Sequence, residues 1–342
     1  MELKSILREL CVSAGVNGCT DASDFAATLL SQFTDNVHRD TLGNVIGFIP
    51  CAHTDAKTLL LEAHIDEIGF VVRHIDDNGF LRFAPCGGVD NRALTASAVT
   101  VLTEPRINGV FCSVPPHVAK EDTKLPELCD RGVDVGMTAE QAKELIPLGT
   151  PVMFAPHFEE LLNGRVCSKA LDNRAGVAAV LYALFLTKKM SLPFHIAVAF
   201  CVQEELGLRG SKTAAFGIKP DAALVVDVSF AHTPDAKQRD CGVLGKGAML
   251  GISPILNKTM TDCLRQLATT TTIPMQFEVM GGTTGTDADN ITVSETGVPT
   301  ALLSIPLRYM HTPVEVVSLS DVEAVARLIA AFLKEGEVPH DA

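Results

Sequence analysis

Five places in the 342-residue chain set metal- or proton-handling side chains at the end of an apolar run. In TLLLEAHIDEIG, His64 and Asp66 stand two residues apart and share a face if the strand continues through them. A metal-binding imidazole usually has its second ring nitrogen held by a carboxylate, which a His-x-Asp pair can supply. In KALDNRAGVAAVL, Asp172 and Asn173 come just before an apolar helix, so a ligand carboxylate and a plain N-cap are both open. Glu204 and Glu205 in QEELG follow the strongest apolar strand of the chain. Two adjacent carboxylates there cost desolvation and mutual repulsion unless a cation or a shared proton offsets them, or the turn faces solvent. Asp227 lies inside the apolar run VVDVS, where a carboxylate is rarely fully buried unless paired or bound to metal. His311 in RYMHTP sits in a polar stretch that Pro313 keeps from becoming a helix, which also suits an exposed loop histidine.

Taken together, two His, two Asp and a Glu pair are the donor types of a hard-to-borderline divalent site. Two metals sharing one carboxylate need about five ligands, open positions for water and substrate, and one free carboxylate as proton acceptor. The five places hold that inventory.

The elements that must position these residues follow from periodicity. Leu3, Ile6, Leu7 and Leu10 mark a first amphipathic helix, and a second near residues 23–33 carries Phe25, Leu29, Leu30 and Phe33 on one face. Residues 42–50 alternate around glycines, and 58–66 is a short apolar run ending in polar residues, the pattern of a buried strand opening onto a site. From about Gly69 to His157 the segments turn short and β-rich, broken by Gly, Pro and Asn-Gly, with one helix near 138–146 opened by a Thr138–Gln141 capping box. Alternation then resumes with a helix over 174–189, strands over 195–203 and 222–229, a helix near 258–268, strands near 275–280 and 300–305, and a last helix from Ser320. The expectation is an α/β fold: a mixed central sheet flanked by helices, formed by residues 1–68 plus 159–342, interrupted by a small β-rich domain at 69–158.

At these residues the chain resembles the M42 family of dinuclear metallo-aminopeptidases, within the clan of co-catalytic zinc peptidases. The resemblance runs nearly end to end through HIDEIGFVV, the PPH at Pro115–His117, VDVG, KALDNRAG, QEELGLRGS, VVDVS, GTDA at Gly285–Ala288, GVPT and RYMHTPVEVVS. It implies that His64 and Asp227 hold one metal, Glu205 and His311 the other, and Asp172 both. Glu204 is then the general base and Asp66 the carboxylate orienting His64. It further implies two divalent ions (Zn, Co or Mn), a non-proline cis bond at Asp172–Asn173, and a PDZ-like or barrel-like dimerisation domain. Short peptides with a free N-terminus are the implied substrates, and the implied assembly is a homo-oligomer of dimers, extending in relatives to a tetrahedral dodecamer. Thr286, Asp287 and Arg308 are expected near the site. The segment 229–240 departs from the family's usual sequence, and His232 within it has no assigned role.

Composition narrows the alternatives. A net charge of −13 argues against nucleic-acid and anionic-membrane partners, which need clustered Lys and Arg. Hydrophobic residues make up 47% of the chain and mean hydropathy is +0.24, yet no charge-free stretch reaches the roughly 18 residues of a membrane span. The N-terminus lacks the uncharged core of a signal peptide, and ten scattered cysteines without a CxxC pair suit a reducing cytoplasm. Three rivals remain: a metal-dependent amidase or deacylase with the same site, an endoglucanase-type glycoside hydrolase using a carboxyl pair, and a non-enzymatic oligomeric scaffold. The absence of Trp removes the usual sugar platform, and paired Glu at a buried strand end has no use in a scaffold.

Overall fold

Four nearly all-apolar strands lie parallel at the centre of the molecule, in the order His195–Cys201, Thr58–His64, Ala222–Phe230 and Thr300–Arg308. Their continuous burial follows from helices on both faces, which is why they read as apolar runs rather than alternating ones. Antiparallel strands extend the sheet on both sides: Val45–Ile49 and Val37–Arg39 beyond the first, then Glu315–Ser318, Arg165–Ser168 and Phe158–Leu161 beyond the last. A branch formed by Ala248–Ile252 and Met275–Val279 pairs with the strand Thr300–Arg308. The computed structural model describes residues 2–16, 18–114, 117–118, 127–237 and 241–337; Pro115, Pro116 and residues 238–240 lie outside them.

Helices Leu3–Val12, Leu171–Thr187, Lys258–Thr270 and Leu319–Glu335 bury one face of the sheet in the larger core. The other face is covered by Arg209–Ile218 and Ala288–Ile291, in a smaller core where alanine is the commonest residue. The second helix runs Asp21–Leu30 and buries Ala22, Ser23, Ala26 and Leu30, leaving Phe25, Leu29 and Phe33 half-buried at its margin. Small residues let it approach closely, since a Cβ on Gly47 of the adjacent strand would stand 2.7 Å from Leu30 Cδ2.

The β-rich stretch closes on itself as a six-stranded antiparallel barrel between Gly69 and Phe154. Phe70, Phe83, Phe111 and Phe154 fill it, with ring centroids 4.9–5.5 Å apart around Phe70. Its helix Ala139–Leu145 carries the expected capping box, Thr138 and Gln141 each accepting the other's backbone N–H. Among the described residues no helix is long and apolar enough to cross a membrane.

One buried ion pair ties the end of a central strand to the start of the central helix. Glu67, three residues past His64, accepts from Lys169 Nζ at 2.7 Å and from the Gly15 N–H at 2.9 Å, and lies 3.7 Å from Arg174 Nη2. All three charged side chains are at most 2% exposed. Removing one charge of such a set strands the others without compensation. Glu67→Gln is therefore expected to cost about 3–5 kcal/mol in urea unfolding; a loss below about 1 kcal/mol, the range of an exposed pair, would show that the pairing does not pin these segments.

Candidate metal centre

The six side chains of the site come from five different elements. His64 closes the strand Thr58–His64, Asp227 lies within Ala222–Phe230, and Glu204 and Glu205 follow His195–Cys201 across a turn. His311 comes three residues after Thr300–Arg308, and Asp172 stands at the head of the helix Leu171–Thr187. This is the carboxyl end of the parallel strands, where open α/β sheets bind ligands. The six side chains line one cavity of about 840 Å³.

Asp172 divides its carboxylate between two groups. Oδ1 lies 3.1 Å from His64 Nε2, and Oδ2 lies 3.4 Å from His311 Nε2. His64 Nε2 is also 3.6 Å from Asp227 and 3.9 Å from Glu204, while His311 Nε2 is 3.4 Å from Glu205. Donor atoms of His64, Glu204 and Asp227 lie within 4.8 Å of one another, and so do those of Asp172, Glu205 and His311. Imidazole and carboxylate donors at these spacings fit divalent cations.

Neighbours hold the donors from behind. Asp66 accepts the backbone N–H groups of Glu204 and Glu205 at 3.1 and 3.2 Å, fixing the turn that begins at Gln203 with φ 63°. Its carboxylate is 3.5 Å from His64 Nδ1, which has no closer polar partner. Glu315 accepts the N–H of Asp172 at 3.1 Å and of His311 at 2.9 Å, spanning both groups. His311 has φ 62°, a left-handed conformation that costs of order 1 kcal/mol and needs such support. Its Nδ1 donates to the Gly88 carbonyl at 2.8 Å, so the barrel reaches the site. Only glycine permits that approach: a Cβ at position 88 would stand 2.9 Å from the His311 ring.

Adjacent residues at the helix head take opposite parts. Asn173 is the cap, accepting the Gly176 N–H at 3.0 Å and donating to Val226 O, whereas Asp172 turns into the cavity. The bond between them is cis, as expected.

Burial pushes Glu204 up to about 9 and Asp227 up to about 6, with neighbouring carboxylates adding to both. Glu205 is raised by burial as well. Burial would also raise Asp172, but hydrogen bonds from His311 and His64 outweigh it and hold this carboxyl below the usual range. Those contacts with Asp172, and then Glu205, bring His311 up to about 11. Burial disfavours the His64 cation, yet Glu204, Asp172 and Asp227 together raise it well above the ordinary value. The shared cause is an excess of desolvated negative charge, so the pocket favours any cation that enters.

All seven expected residues therefore meet: six line the cavity and Asp66 stands behind them. Thr286 lines it too, while Asp287 is buried with Glu62 and Cys201 in a separate cluster off the cavity. Arg308 instead donates to the His232 carbonyl at 2.7 Å, and His232 does not reach the cavity. Glu315 and Gly88 carry no role in the sequence reading. A glutamate inside the apolar run PVEVV is the signal for the first; nothing local marks Gly88 within PCGGVD.

A family model described as M42 glutamyl aminopeptidase matches residues 43–328. A lysyl aminopeptidase of Pyrococcus furiosus is 35% identical over 338 residues, covering 96% of each chain. An aminopeptidase from the archaeon Desulfurococcus kamchatkensis superposes with a TM-score of 0.90 at 35% identity, over 97% of this chain and 94% of that one. A TET peptidase of Pyrococcus horikoshii, described as able to assemble into a tetrahedron or a large octahedral shell, matches with a TM-score of 0.85 at 31% identity, over 98% and 100% of the two chains.

Glu315→Ala deletes the acceptor shared by the Asp172 and His311 amides. Affinity for divalent cations, measured by equilibrium dialysis with elemental analysis, is expected to fall about 10–100-fold. Wild-type affinity in this variant would show that the clamp takes no part in placing the donors.

Proposed function

We propose, from the premise that the chain belongs to the M42 peptidase family and is a hydrolase, that it removes the N-terminal residue of short peptides at a dinuclear metal centre. The observation that carries the dinuclear reading is the division of the Asp172 carboxylate between the two imidazoles. His64 and Asp227 would hold one ion, Glu205 and His311 the second, and Asp172 both. Zn, Co and Mn all suit this donor set. When bound, the ions supply Lewis acidity for a peptide carbonyl and acidify water in the site.

Glu204 is the carboxylate left for proton transfer. It is the farthest from His64 of the acids near that ring, at 3.9 Å, and the most exposed of the four, 12% against 6–8% for the others. Its carboxylate takes the proton of the attacking water and returns it to the departing amine, the two uses expected of one acid–base group. Asp66 is a positioning residue: it holds the Glu204 and Glu205 amides and faces the Nδ1 side of His64. The Gly88 carbonyl accepts a hydrogen bond from His311 Nδ1–H, the tautomer that leaves the Nε2 lone pair free to bind an ion.

The same reading assigns catalysis to residues 1–68 plus 159–342 and dimerisation to the barrel at 69–158. Assembly beyond the dimer is proposed on the strength of the Pyrococcus horikoshii relative. The cytoplasm is the assigned compartment, on the scattered cysteines of the sequence. Relatives named for lysyl and glutamyl substrates leave the side-chain preference open at the level of the family.

Metal-loaded protein is expected to release p-nitroaniline from aminoacyl-p-nitroanilides and to leave their N-acetylated forms intact. Exhaustive chelation should abolish the release and added Zn or Co restore it; cleavage of the acetylated forms would instead establish a deacylase. Glu204→Gln should keep its metal content while kcat falls about 10²–10⁴-fold. Near-wild-type turnover in that variant would remove Glu204 from the role of base.

A further inference from the structure

The cavity holds one more acid that the proposed chemistry does not use. Glu278, on the strand Met275–Val279, lines the same cavity as the six donors. Its Oε1 accepts the Ser229 hydroxyl, and its Oε2 accepts the Ser304 hydroxyl at 2.8 Å. Both serines are buried, and both also line the cavity. Ser304 pairs directly with Asp227 across the two central strands, and Ser229 follows Asp227 by two residues on the same face. Two residues of strand span about 6.5 Å. Glu278 is therefore hydrogen-bonded to the residue paired with Asp227 and to the residue two beyond Asp227, in the cavity the six donors line.

A carboxylate can accept about four hydrogen bonds, and the serines use two. Among the described residues Glu278 has no cationic partner, and no Lys or Arg lines the cavity. Val228, Met249, Met280 and Leu302 supply apolar wall to the same cavity. A partly apolar cavity holding an oriented carboxylate without a counter-charge matches a long aliphatic stem carrying a positive charge. An acidic side chain would meet this carboxylate with no counter-charge, and a neutral one would leave it without a charge of opposite sign.

We propose that Glu278 is the specificity-determining residue of the pocket for the substrate's first side chain, and that it selects lysine and arginine. The inference rests on the aminopeptidase reading and adds the substrate class to it. Norleucine shares the lysine stem without the charge, so the comparison of these two isolates the contribution of Glu278.

The test measures kcat/KM of the metal-loaded full chain on the p-nitroanilides of lysine, arginine, norleucine, leucine and glutamate. Lysine and arginine should exceed norleucine by roughly 10–100-fold, the range of a hydrogen bond to a charged group, with glutamate the poorest. Glu278→Gln should lower the lysine-to-norleucine ratio by a similar factor, and Glu278→Lys should raise glutamate above lysine. Wild-type protein that cleaves norleucine or glutamate as well as lysine overturns the assignment while leaving the aminopeptidase standing, and needs no variant to fold. A lysine-to-norleucine ratio unchanged in a folded Glu278→Gln does the same. Failure to cleave any free-amine substrate overturns the aminopeptidase reading and this inference together.

Discussion

The carboxyl groups of Asp172, Glu204, Glu205 and Asp227 are crowded around two imidazoles in a desolvated pocket at the ends of parallel strands, and their mutual repulsion is the constraint that the surrounding structure must answer. Burial raises three of them, while the fourth, Asp172, stays low only because two imidazoles face its two oxygens. An arrangement of this kind is tolerable only with fixed partners, since isolated charges out of water cost several kcal/mol each. Backbone amides from the Glu204–Glu205 turn are held by Asp66, and those of Asp172 and His311 by Glu315. Carboxylates behind the donors thus fix the backbone that presents the donors.

Two structural units meet over this pocket. The central sheet delivers most of the donors from rigid strands, which locates them better than free loops would. The barrel stretch contributes backbone: Gly88 packs against the His311 ring and its carbonyl accepts a hydrogen bond from Nδ1. The phenylalanine core of the barrel and the Glu67–Lys169–Arg174 cluster stiffen the two sides of that junction.

Function along the chain is assigned at the level of single residues. Asp172 and Asn173 are neighbours of similar chemistry, yet one faces two imidazoles and the other caps the helix that follows. Glu204 and Glu205 share their amide acceptor but point to different imidazoles. Asp287 and Thr286 part in the same way, the threonine reaching the cavity and the aspartate turning into a buried cluster with Glu62 and Cys201.

The sequence by itself determined the strands and the donors, because a polar residue ending a long apolar run is a local signal of cost that has to be met somewhere. Asp227 was legible on that ground by itself, His64, Glu204, Glu205, Asp172, His311 and Asp66 only as a set, and their separate parts followed from the motif order. The helix Arg209–Ile218 was not legible, since it buries Gly210, Ser211, Ala214 and Ala215 and so shows no apolar stripe. Only the tertiary structure decided the parts played by Glu315, Gly88 and Glu278. Each has a partner far along the chain, Asp172 143 residues from Glu315, His311 223 from Gly88 and Ser304 26 from Glu278, and these hydrogen bonds depend on sheet register and on barrel closure, neither of which leaves a periodic trace in the chain.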